Sequence, residues 1–167
     1  GAKLEIFPDK KERENRIRQF KSIANVMMTN AIHYTAMNSE TLVENIGKYQ
    51  LLVLPELEYL STQIKEVIRN FVSNGGKLLI IDSGNSSQID PDLLAMAGVS
   101  IEGVEPLDYS YIENEEDQVS DPILVRGHFT RVKPLSGATT LARLIAPLRM
   151  GKGGSEFGHG FAPPTQS

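Results

Sequence analysis

The turn text Ile81-Asp82-Ser83-Gly84-Asn85 holds the residue types best suited to chemistry in this chain. It follows a continuous apolar run, and in open α/β sheets ligands gather beyond the carboxyl ends of the strands. A serine at that place becomes a nucleophile when a base lies within hydrogen-bond reach. The imidazoles available are His33, His128 and His159. His128, within Arg126-Gly127-His128-Phe129, is the one whose setting offers a route to a sheet edge; His33 reads as a packing or surface residue. The local text lacks the Gly-x-Ser-x-Gly spacing that exposes a serine on a strand-to-helix elbow. The next helix signal also starts only at Pro91. Ser83 and His128 are therefore the catalytic candidates, without a complete set around them, and a tight turn capped by Asp82 or Ser83 is the competing reading.

Carboxylates offer a second chemistry. Glu56, Glu58 and Asp82 follow two apolar runs and can share one sheet edge. Glycoside cleavage needs two such groups about 5 to 10 Å apart across a sugar-binding groove, and solvated loop acids are the plainer reading. Glu56, Asp82, Ser83 and Asn85 are together the expected ligand or interface edge. The chain has no cysteine, which removes disulfides, thiolate nucleophiles and thiolate metal ligands at once. His128 and His159 belong to no compact ligand motif, so no metal site is expected. Gly151-Lys152-Gly153-Gly154-Ser155 lacks the phosphate-loop spacing, and Gly75-Gly76 precedes a strand, as a helix stop does. No cofactor is expected.

The elements that must position these residues are legible in the apolar spacing. Lys3 to Phe7 reads as a short strand. Asp9 to about Thr29 reads as a helix, with Ile17, Phe20, Ala24, Met27, Met28 and Ala31 on one face. Ile32 to Ala36 follows as a strand, then Ser39 to Ile46 as a short helix closed by Gly47. Gln50 to Leu54 is apolar throughout, the pattern of a strand covered on both faces. Ser61 or Thr62 caps a helix in which Ile64, Val67, Ile68, Phe71 and Val72 recur at helical spacing, and Asn74-Gly75-Gly76 stops it. Lys77 to Ile81 completes a β-α-β unit. Asp90-Pro91 opens another short helix that Gly98 closes, and Val99 to Val104 is extended. The stretch 105–121 reads as an acidic loop or hairpin excursion. Ile123 to Val125, Thr130 to Leu135 and Thr140 to Ile145 read as short strands.

The expected fold class is α/β: a flavodoxin-like three-layer sandwich on a mostly parallel central sheet. Its domain would cover residues 1–149, followed by a flexible Gly- and Pro-rich tail over 150–167. At 167 residues, 40% hydrophobic and 23% charged, the chain has the length of one domain and an ordinary soluble composition. No stretch approaches eighteen consecutive apolar residues and no signal-peptide pattern opens the chain, so no membrane partner is expected. The formal net charge is −4, but the charge is unevenly placed. Residues 101–121 carry eight acids and no Lys or Arg, whereas the residues after Asp121 carry six Lys or Arg against one acid, Glu156. Aromatic residues do not interleave with the bases as a stacking platform for single strands requires, so no nucleic-acid partner is expected.

Two stretches, Tyr49-Gln-Leu-Leu-Val-Leu-Pro-Glu56 and Phe71-Val-Ser-Asn-Gly-Gly-Lys-Leu-Leu-Ile-Ile-Asp82, resemble the class I glutamine amidotransferase-like superfamily. They look most like the beta-galactosidase trimerisation-type accessory domain of multidomain glycoside hydrolases. Leu141-Ala-Arg-Leu-Ile-Ala-Pro147 and Phe157-Gly-His-Gly-Phe-Ala-Pro-Pro164 resemble text near the end of such domains. Catalytic members of the superfamily carry a cysteine after a central strand, where this chain offers Ser83. The resemblance therefore implies a non-catalytic accessory or assembly domain of a larger carbohydrate-active hydrolase. Its partner would be a neighbouring catalytic domain of the same polypeptide, or a second copy in a homo-oligomer, in a periplasmic or extracellular setting. The short first strand, the acidic insertion at 105–121 and an end before the last strand pair imply a piece of a longer protein. Two alternatives stand beside this reading: a ligand-sensing or transport-associated α/β domain, and a stand-alone hydrolase using Ser83.

Overall fold

The computed structural model describes residues 10–55, 60–81, 91–105, 107–114, 121–147 and 164. The chain divides into two units, residues 1–81 and 82–167.

The first unit opens with α1 (Lys10–Thr29), followed by α2 (Ser39–Asn45) and a 3-10 turn over Ile46–Lys48. Then come β1 (Leu51–Leu54), α3 (Thr62–Ser73) and β2 (Lys77–Ile80). The β-α-β reading holds here. β1 and β2 pair in parallel, with Leu51 opposite Lys77 and Leu54 opposite Ile80. Ser61 caps α3 by accepting from the Ile64 amide at 3.3 Å, and caps of this kind are worth about 1 kcal/mol. The stripe Ile64, Ile68 and Phe71 is buried, and with Leu42 and Leu54 it forms the core of this unit. Each such side chain contributes roughly 1.5–3 kcal/mol when fully removed from water.

The helix stops follow one scheme with two different residues. After α3, the Gly76 amide donates to Phe71 O and the Gly75 amide to Val72 O, both at 2.9 Å. Gly75 takes φ +92°, the left-handed conformation that this closure demands. After α1, the Ile32 amide donates to Met27 O at 2.9 Å and the Ala31 amide to Met28 O at 3.1 Å. Here Ala31 holds φ +54°, a conformation in which a Cβ crowds the neighbouring carbonyl.

The second unit contains α4 (Pro91–Met96), β3 (Val99–Val104), β4 (Tyr109–Asn114), β5 (Ile123–Arg126), β6 (Thr130–Pro134) and β7 (Ala142–Ile145). β3 pairs antiparallel with β6, and β4 pairs antiparallel with both β5 and β7. The two ladders are linked. The Glu105 amide donates to Phe129 O, and the Gly127 amide to Asp108 O, each at 2.7 Å. Residues 99–105 and 107–114 therefore run along 123–134 as the two arms of one antiparallel ribbon. Its register shifts between Ile101 and Gly103, the mark of a bulge that bends a strand. β7 lies along the other edge of β4. Leu93, Leu94, Tyr109 and Pro147 are buried in this unit, together with Glu105 and Ser110. Pro164 stands opposite Pro147 in an isolated antiparallel bridge.

This overturns the expected fold class. Among the described residues the parallel arrangement is confined to the β1–β2 pair, and the five strands β3–β7 are all antiparallel. The chain is mostly antiparallel β in its strands and is not a flavodoxin-like sandwich on a parallel sheet. The physical reason lies in strand reach. Parallel neighbours need a crossover of a dozen or more residues, usually a helix. The strand-forming runs after Gly98 are joined by connections of at most eight residues, too short for such a crossover, and the strands return antiparallel. The expected strand at 32–36 also does not form: residues 32–38 have no regular secondary structure. The expected strand at 3–7 lies outside the described residues.

Candidate functional site

The candidates named from the sequence divide sharply. Glu56, Asp82, Ser83 and Asn85 lie outside the described residues, as does His159. His128 is described. It sits in the three-residue link from β5 to β6, at the bend of the ribbon, and its side chain is exposed. The backbone bonds of Gly127 and Phe129 on either side fix that link to the opposite arm. The described residues thus hold His128 on a tied surface turn and do not bring it to a second catalytic group. No group of three or more His, Asp or Glu side chains among the described residues converges as a metal site would require.

The acidic segment takes a structural part. Tyr109–Asn114 is the central strand of the three-stranded sheet, flanked by β5 and β7. Glu113 lies opposite Arg143 and Tyr109 opposite Arg126. Opposite charges facing across an antiparallel pair contribute roughly 0.2–1 kcal/mol. One acid of the cluster, Glu113, is thus set opposite a base that comes later in the chain. Inside the same unit, Ser110 Oγ and Thr130 Oγ1 are buried with no hydrogen-bond partner among the described residues.

The concave feature of the first unit lies elsewhere than the sequence candidates. A cleft of about 500 Å³ runs between α1, the 32–38 segment and β1, and α2 and α3 contribute to its lining. Phe20 and Met27 of α1, Tyr34, Leu42, Val53 and Ile64 give it a mainly apolar wall, with His33, Thr35 and Gln50 among the polar groups. Asn38 also lines it, but its Oδ1 already accepts from the Thr41 amide at 2.8 Å to cap α2. Volume and lining are those of a small-molecule or side-chain pocket. Among the described residues that line it, no hydroxyl is hydrogen-bonded to an imidazole or carboxylate as a nucleophile–base pair would be. Of the α1 stripe, Phe20, Ala24 and Met27 line this cleft, and Phe20 remains 47% exposed. Periodicity reports only that a helix has an apolar face, and not whether that face is filled.

Comparisons with known proteins return little. No family model matches the chain, and no curated protein matches it. Among solved structures it is similar to alpha-L-fucosidase isoenzyme 2 from Paenibacillus thiaminolyticus, with a TM-score of 0.54 and 22% identity. The similarity covers 71% of this chain and 18% of the fucosidase chain. It shows a shared fold over that stretch. This chain therefore corresponds to less than one fifth of the length of that enzyme.

Proposed function

We propose that this chain is a non-catalytic accessory or assembly domain of a larger carbohydrate-active hydrolase. The observation that carries the proposal is the likeness of 71% of the chain to an 18% portion of a fucosidase chain. A fold that occupies so small a share of a glycosidase fits a supporting part within it. The sequence resemblance of Tyr49–Glu56 and Phe71–Asp82 to beta-galactosidase trimerisation-type accessory domains of the amidotransferase-like superfamily points the same way.

Apolar exposure supports the assembly half of the proposal. In unit one, Leu51 and Leu79 point to the same side of the β1–β2 pair and are 48% and 45% exposed. In unit two, Ile112, Ile123 and Leu144 share one side of the three-stranded sheet, and Ile123 is 65% exposed. Exposed apolar residues gathered on one side mark contact surfaces. The proposed partner is a neighbouring catalytic domain of the same polypeptide or a second copy of the chain. The test is turnover of aryl α-L-fucosides and aryl β-galactosides by the chain alone. The proposal expects the uncatalysed rate; turnover that vanishes in Ser83→Ala would support a stand-alone hydrolase instead.

A further inference from the structure

We draw no further inference here: the strongest candidate, the apolar cleft of the first unit between α1, the 32–38 segment and β1, carries nothing because nothing in the structure shows what covers it.

Discussion

Glu113 on β4 stands directly opposite Arg143 on β7, thirty residues later in the chain. The pairing sets one residue of the acid-rich stretch across from one of the base-rich stretch. Reversing one member places like charges face to face. Glu113→Lys is expected to lower stability by about 0.5–1 kcal/mol. The double variant Glu113→Lys, Arg143→Glu restores most of it. Urea unfolding of the two single variants and the double variant measures the coupling. A double variant no more stable than the sum of the singles would show that the two side chains do not interact.

The two left-handed helix stops make opposite predictions. Ala31 holds φ +54° with a Cβ, and Gly75 holds φ +92° without one. Ala31→Gly relieves the steric cost, offset in part by the greater freedom of an unfolded glycine. A gain of about 0.5–1 kcal/mol is expected. Gly75→Ala meets no atom within 4 Å, so its loss of about 1 kcal/mol comes from the backbone alone. Thermal unfolding of both variants checks the signs.

The same glycine pair shows how close packing adds to conformation. A Cβ at Gly76 would fall on the ring of Phe71, closer than 3.0 Å to its carbons. Phe71 is itself buried and cannot swing aside freely. The expected cost of Gly76→Ala is about 1–3 kcal/mol. It should exceed that of Gly75→Ala in the same unfolding experiment.

The β-α-β unit was legible because its signals are local. Ile64, Ile68 and Phe71 recur at helical spacing, Ser61 precedes them and Gly75 follows, and each took the place its chemistry assigns. The antiparallel half was not legible in the same way. Tyr109–Asn114 lies in an acid-rich stretch that reads as a loop or hairpin excursion; it is a strand flanked by β5 and β7, and pairing between distant segments leaves no mark in a short window. Extending the parallel pattern of residues 50–81 to the whole chain produced the wrong fold class. The Gln50–Leu54 run also misleads. It reads as covered on both faces, yet Leu51 remains half exposed. Of the site candidates, His128 lies exposed in the link between β5 and β6, and nothing around it in the sequence says that its side chain faces outward.

Ser110 offers a test of buried polarity. Its side chain is fully buried and its hydroxyl has no hydrogen-bond partner among the described residues. A buried unsatisfied polar group costs about 1–3 kcal/mol. Ser110→Ala removes that group with little change in volume, and is expected to leave stability unchanged or raise it. A loss of more than about 1 kcal/mol in chemical denaturation would mean that the hydroxyl makes a stabilising bond.

The most direct test of the proposed role is a kinetic assay of the purified chain on 4-nitrophenyl α-L-fucopyranoside and 4-nitrophenyl β-D-galactopyranoside. An active fucosidase and an active galactosidase serve as positive controls. An accessory domain predicts release of nitrophenol at the uncatalysed rate, identical in the native chain, Ser83→Ala and His128→Ala. Saturable turnover by the native chain that is lost in Ser83→Ala or His128→Ala would contradict the proposal and make the chain an enzyme in its own right.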